Sequence, residues 1–405
     1  MIAEPNSNKL PIIAMAHYSN SNGFVGGVRT KAWVDQALKD GWDAHLISPK
    51  NSKLTGGRPL KYKKSILPEG AKKVMVSVYQ YLRPYSALFE PSNISLFFYL
   101  KVGSRLIRTF SNAASANYPV VLLTSYGPAV TLFAGFFLKS IYKSKLLWII
   151  DYRDDWSTNY KKRFLLPHLE RSLERLTVGG ADRFISVSDE YARTISENIG
   201  RDVEVVRNGF DREIFDLLRA NRTALTLRDS SGNYNIRYVG TLNSWRGGLE
   251  AFCRAISRAN KAKERITFEV AGKANEYSKT ILKSHGAKYH GLLDHGAALE
   301  LMARSDALLF LDTGVPGEVS SKVYEYMASH LPVIVFAAGD VVICAKMLEQ
   351  AGVLAGVFRD ELQAMEVIEG LSSFEVRPNI DYINRFTREV QAREFTKIVS
   401  DAFKS

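Results

Sequence analysis

Lys322 and Glu325 stand three residues apart where a helical pattern begins, in the stretch EVSSKVYEYMASHLPV that starts at Glu318. At i,i+3 the two side chains share one helix face. A carboxylate there accepts hydrogen bonds from two adjacent hydroxyls, as a ribose offers, while the ammonium balances phosphate. Ser320 or Ser321 can cap the helix, leaving its remaining N–H groups directed at an anion. The ordinary alternative is a surface ion pair worth a few tenths of a kcal/mol, with Val323, Tyr324, Tyr326 and Met327 buried beneath it.

Other loops carry compatible chemistry. YVGTLNSWRGG places Gly240, Thr241 and Arg246 in a turn that opens a helix, where N–H groups and a guanidinium suit a diphosphate. An exposed arginine in a glycine-containing turn is the plainer reading. FEVAG ends at Gly272, where the absence of a side chain could let a ligand approach the backbone. Near the N-terminus, Gly23, Gly26 and Gly27 follow a strand pattern and precede a helix, with Arg29 close by. Their G-x-x-G-G spacing is not the dinucleotide fingerprint G-x-G-x-x-G, which argues against a nicotinamide oxidoreductase. WIIDYRDDW releases Asp151, Arg153, Asp154, Asp155 and Trp156 together from an apolar strand, and charges so placed need partners. The aspartates never occur as D-x-D, and the seven histidines form no H-x-x-x-H or H-E-x-x-H pair, so no metal site is expected.

The elements that must position these residues alternate. Short apolar runs such as LPIIAMAH, YPVVLLTSY, KLLWIID and DRFISVS are separated by helical patterns, and the series restarts with YNIRYVG, ITFEVAG, DALLFLD and LPVIVFAAGD. This predicts two doubly wound α/β domains with parallel sheets, facing a cleft. The expected divisions are 1–205, 206–385 and a C-terminal helix over 386–405 that could cross back to the first domain. Asn208-Gly209 reads as the turn at the join.

Composition agrees with a globular chain of more than one domain: 405 residues, 46% hydrophobic and 24% charged. The N-terminal stretch lacks the pattern of a signal peptide, and TLFAGFFLKSIYKSKLLWII is interrupted by Lys139, Lys143 and Lys145 rather than spanning a membrane. With Cys253 and Cys344 forming no pairing or ligand pattern, a reducing cytoplasm is expected. The net charge of +12 is concentrated early, and residues 50–110 hold 12 basic and 2 acidic side chains. Such a patch, interleaved with aromatics around SNISLFFYLKVGSRLIRTF, favours an anionic membrane surface or polyanionic acceptor over nucleic acid, whose signatures are absent.

In order along the chain, GFVGGVRTKAW, LLWIIDYRDDW, ADRFISVSDEYARTI, VEVVRNGFDREIF, YVGTLNSWRGG and SSKVYEYMASHLPVI resemble a family-4-type glycosyltransferase of the GT-B architecture, in a branch acting on surface polysaccharides. The resemblance implies sugar transfer from a nucleotide-diphosphate donor, usually retaining, without a metal or cofactor. The second domain would hold the donor, and the first a glycan or lipid-linked acceptor. By motif position Glu325 would bind ribose, and Arg246 with Lys322 the diphosphate. Arg153 or Asp154 would lie near the transferring sugar, and Gly26 and Gly27 would line its side of the donor. Gly240, Thr241, Gly272, Ser321 and Glu318 complete the expected donor site, while Arg29, Asp151 and Trp156 fall on the acceptor side. Two departures stand out: Thr241 replaces a usual basic residue, and Gly317 stands where relatives carry a glutamate, with Glu318 beside it. A non-catalytic sugar-nucleotide or polysaccharide-binding protein and a sugar-nucleotide epimerase are the alternatives.

Overall fold

The computed structural model describes residues 10–16, 25–47, 94–113, 119–127, 129–154, 156–157, 167–223, 234–242, 247–262, 265–315, 317–339 and 343–403. The chain divides into two compact units. One comprises residues 1–207 together with 392–405, and the other residues 208–391.

Among the described residues, the first unit is built on six parallel strands in the order β2-β1-β3-β4-β5-β6. Its strands are β1 (Pro11–Met15), β2 (Asp43–Ile47), β3 (Val120–Ser125), β4 (Leu146–Tyr152), β5 (Arg183–Ser186) and β6 (Glu204–Val205). Strands such as β3, VVLLTS, are buried along their whole length because helices cover both faces. One face packs against α2 (Ile94–Ala113), α3 (Val130–Tyr142), α4 (Pro167–Val178) and α5 (Asp189–Ile199), through Tyr99, Leu106, Leu138, Val178 and Ile195. The other face packs against α1 (Val25–Lys39) and the last helix of the chain.

The second unit repeats the architecture in the order β12-β11-β10-β7-β8-β9, again parallel. It contains α6 (Arg212–Thr223), β7 (Tyr234–Val239), α7 (Leu249–Lys261), β8 (Ile266–Ala271), α8 (Glu276–Ser284), β9 (Lys288–Tyr289) and α9 (His295–Ala303). These are followed by β10 (Ala307–Leu311), α10 (Lys322–Ser329), β11 (Val333–Phe336), α11 (Ile343–Gln350), β12 (Leu354–Phe358), α12 (Glu361–Gly370) and α13 (Ile380–Asn384). Asn275, Asp294 and Asp360 each cap a helix by accepting from the N–H three residues on, as their types predict. No helix among the described residues is long and apolar enough to cross a membrane.

The last helix, α14 (Arg388–Ala402), begins in the second unit and ends in the first. There Phe395 stacks face to face on Trp33 of α1, with ring centroids 4.4 Å apart. Asn208-Gly209 is not the turn its sequence suggests. A Cβ on Gly209 would lie 2.4 Å from the Phe386 carbonyl oxygen, because residues 210 and 387 pair as a parallel bridge. The glycine admits that close backbone approach, and Arg388 pairs with Asp211 beside it.

Candidate functional site

In the second sheet the chain leaves β7 toward β8 and β9 on one side, and β10 toward β11 and β12 on the other. Open α/β sheets bind ligands outside such a switch point, at the carboxyl ends of the strands. Here β7 and β10 are in register only at Ala307 with Ile236 and Leu308 with Arg237, and then separate. The hydroxyl of Tyr326 occupies the opening. It accepts from the Val239 N–H at 3.2 Å and donates to the Leu309 carbonyl at 3.3 Å. Sequence reasoning counted Tyr326 only as an apolar partner. The available signal was a tyrosine rather than a phenylalanine on a buried helix face, since a buried phenol needs a hydrogen-bond partner.

The start of α10 carries Lys322 one turn before Tyr326 and Glu325 immediately before it. The Lys322 ammonium donates to Glu325 Oε2 at 2.6 Å. The glutamate side chain is 7% exposed and the lysine side chain 26%. The i,i+3 spacing thus gives an ion pair, but an ammonium has three donors and a carboxylate two oxygens. Both groups keep capacity for a ligand. Neither serine caps the helix as expected. Ser321 already has helical angles (φ −57°, ψ −21°) and makes no side-chain cap, whereas a capping residue needs extended backbone. Ser320 contributes its carbonyl, which accepts from the Val323 N–H.

Glu318 is turned back on its own loop. Its Oε2 accepts from the Thr313 hydroxyl at 2.9 Å, and its N–H bonds to the Val315 carbonyl. Gly314 and Gly317, with φ of +67° and +77°, make the turns that allow this. Asp312 closes the loop by accepting from the Gly314 N–H.

Gly240 and Gly272 are brought together by the packing of their own loops. With φ at +134°, Gly272 sits where a Cβ would lie 1.8 Å from the Gly240 carbonyl oxygen. What approaches its backbone is therefore the neighbouring loop. The zipper continues with the Leu242 N–H on the Lys273 carbonyl and the Asn275 N–H on the Leu242 carbonyl. Thr241 is exposed, and its carbonyl accepts from the Tyr238 hydroxyl at 3.0 Å. Gly248 opens α7 against the ring of Phe336, only 2.2 Å from where its Cβ would fall. Arg246 lies outside the described residues.

In the first unit, the expected acceptor-side residues divide. Arg29 and Asp151 form a buried ion pair at 3.2 Å, with the Ser125 hydroxyl donating to the other carboxylate oxygen at 2.9 Å. Arg29 also lies 4.2 Å over the Trp33 ring. An aspartate in a strand buried at all but one position requires such partners, so these two are internal rather than ligand-facing. Trp156 is likewise no surface platform: it is 1% exposed, stacked on Tyr126 and edge-on to Phe133. Arg153 and Asp154 are half-buried beside the turn at Gly127. Arg153 donates to the carbonyls of Tyr126 at 3.1 Å and Gly127 at 2.8 Å. Gly26 and Gly27 fall in the first turn of α1, whereas Gly23 and Asp155 lie outside the described residues.

Residues 233–368 match the family model for glycosyl transferases group 1. No curated protein matches the chain at a significant level. Among solved structures, a glycosyltransferase from Rickettsia africae is 12% identical with a TM-score of 0.63, covering 98% of this chain and 100% of its own. The α,α-trehalose 6-phosphate synthase of Burkholderia multivorans is 13% identical, with a TM-score of 0.61 over 97% and 99%. Anabaena Alr3699/HepE in complex with UDP-glucose is 13% identical, with a TM-score of 0.60 over 97% and 100%. At these identities the structural likeness speaks for the fold. The matched segment spans the β7–β10 switch point and α10, so the second unit carries a segment similar to the glycosyl transferases group 1 family within a chain whose fold is that of the GT-B glycosyltransferases.

Proposed function

We propose that the chain transfers a sugar from a nucleotide-diphosphate donor to a glycan or lipid-linked acceptor in cell-surface polysaccharide synthesis, retaining the anomeric configuration and using no metal. The observation that carries this reading is the Lys322–Glu325 pair on the first turn of α10, beside the strand opening bridged by Tyr326. The second unit takes the donor and the first takes the acceptor. The ribose hydroxyls donate to Glu325, while Lys322 keeps one N–H on Glu325 and turns the others to phosphate. That Alr3699/HepE was solved with UDP-glucose supports a donor of this class.

As the bond from C1 to the diphosphate breaks, negative charge grows on the leaving phosphate. Lys322, the start of α10 and Arg246 stabilise it more in the transition state than in the ground state. The leaving phosphate itself takes the acceptor proton, so no side-chain nucleophile is required. Arg153 and Asp154, with the Gly127 turn, contribute the polar edge of the first sheet. Glu318, held by Thr313, does not serve as the donor-sugar carboxylate. Its engagement and the neutral Thr241 favour the second reading, a binding protein without turnover.

Nucleotide release from a panel of nucleotide sugars, with oligosaccharide and lipid-linked acceptors, tests the proposal. Acceptor-dependent release, unchanged by EDTA and yielding a product of the donor's anomeric configuration by NMR, is expected. Donor binding with no release for any acceptor would establish the second reading, and an altered free sugar nucleotide would establish an epimerase.

A further inference from the structure

The outer surface of α2, α3 and α4 is unlike the rest of the first unit. On α2, Lys101, Arg105 and Arg108 recur at helical spacing and are exposed, with Phe97 one turn before them and 73% exposed. Together with Leu100 and Ser104 they line an open groove of about 660 Å³. Arg108 donates to the Tyr142 hydroxyl at the end of α3, which fixes the basic stripe beside the exposed Lys143 and Lys145. On α3 itself, Phe137 and Ile141 are 44% and 65% exposed.

The helix α4, PHLERSLERLTV, sets Leu173 and Val178 on the core but departs from simple amphipathic packing at its other positions. Its two glutamates, Glu170 and Glu174, are buried, and Asn198 donates to Glu174 at 2.7 Å. Two of its three leucines, Leu169 and Leu176, are 53% and 69% exposed, alongside the exposed Arg171 and Arg175. Simple amphipathic packing places leucine inward and glutamate outward. The departure removes the only two carboxylates from this face and adds apolar side chains to it. Among the described residues of the three helices and the 143–145 turn, seven Lys and Arg are exposed and no Asp or Glu is. Asp189 and Glu197 on α5 mark where the face ends.

We propose that this face docks on an anionic lipid bilayer, with Phe97, Phe137, Ile141, Leu169 and Leu176 entering the interface and the cations meeting lipid phosphates. Cations alone would suit any polyanion. Large side chains left in water between them suit a surface that is charged outside and apolar beneath. A nucleic acid offers phosphates without that apolar layer.

The test is sedimentation of the full chain with vesicles of phosphatidylcholine alone, or with one third phosphatidylglycerol. Binding is expected only to the anionic vesicles and to weaken with salt. The variant Lys101→Ala/Arg105→Ala/Arg108→Ala should lose on the order of a hundredfold in affinity, at about 1 kcal/mol per cation. Phe97→Ser/Leu176→Ser should lose binding without any change of charge. All these residues are exposed, so the melting temperature and its shift with added UDP should stay as in the parent chain. That keeps a failed docking face distinguishable from a failed donor site. Equal binding to both vesicle types, no binding to either, or unchanged binding by the triple variant would overturn the proposal. So would duplex nucleic acid binding as tightly as vesicles and indifferent to Phe97→Ser/Leu176→Ser.

Discussion

Removing either member of the Lys322–Glu325 pair asks whether it is only an ion pair or a divided ligand site. If the pair acts only on itself, Glu325→Ala and Lys322→Ala both act on stability alone, the lysine change more strongly because it strands the more buried carboxylate. Each breaks one contact of 2.6 Å between a lysine 26% exposed and a glutamate 7% exposed. Near solvent that contact is worth about 1 kcal/mol, and neither change should touch nucleotide affinity. If the duties are divided, the two variants separate. Glu325→Ala removes two hydrogen bonds between ribose and a charged group. Even one of these at about 2 kcal/mol lowers affinity roughly thirtyfold, for uridine and UDP alike. Lys322→Ala removes the phosphate contact, so UDP should weaken by a similar factor while uridine changes less than about twofold. Calorimetric titration with UDP, and competition by uridine, measures all four values. Equal losses for both ligands in both variants, or parent affinity in Glu325→Ala, would refute the division of labour.

Further outcomes follow from other parts of the second unit. Gly272→Ala places a methyl group 1.8 Å from the Gly240 carbonyl at a φ of +134°. It should cost more than about 3 kcal/mol, read as a large fall in melting temperature or loss of soluble protein. Burial, reinforced by Glu250, pushes the Cys253 thiol up to about 12. That thiol should stay unlabelled by alkylating reagents at pH 8 until denaturant is added, as checked by peptide mass spectrometry. Burial pushes Glu269 upward, but hydrogen bonds from His290 and Arg237 and the Arg237 charge prevail, and its carboxyl lies below its ordinary value. A carboxyl lowered by folding stabilises above its unfolded pKa and loses that contribution as pH falls through its folded one. Glu269→Gln should therefore flatten the acid limb of a denaturation curve below about pH 4.3 and leave its slope above pH 6 unchanged.

Much of this was legible in the sequence because the physics is local. Continuous apolar runs such as ALLFL could only be strands buried on both faces, and their alternation with helices dictated parallel sheets. The Lys322–Glu325 contact followed from helix geometry alone. What escaped depended on neighbours distant in the chain. Gly272 looked like room for a ligand until the loop after β7 was laid against it, and Gly209 looked like a turn until residue 387 came alongside. Arg29, Asp151 and Trp156 have the chemistry of a binding edge, and only their burial shows that they serve the interior. The burial of the α4 glutamates was hidden for the same reason: Glu174 faces inward onto Asn198, 24 residues beyond it.

The sparse pairing between β7 and β10 bears on how the second unit comes apart. Its sheet is two triplets of strands, β7-β8-β9 and β10-β11-β12, joined by two residue pairs, the Tyr326 phenol and the Asp306 carboxylate, which accepts from the Asn235 N–H and side-chain amide. Beneath the ladder Ile236, Phe268, Leu309 and Phe358 share one core, so the seam should loosen only from its carboxyl end, beyond Arg237 and Leu308, and amide-exchange protection should be weakest there. A ligand spanning that end from the loop after β7 to the first turn of α10 would close it. The affinity of the site would then be readable as added amide protection at the seam.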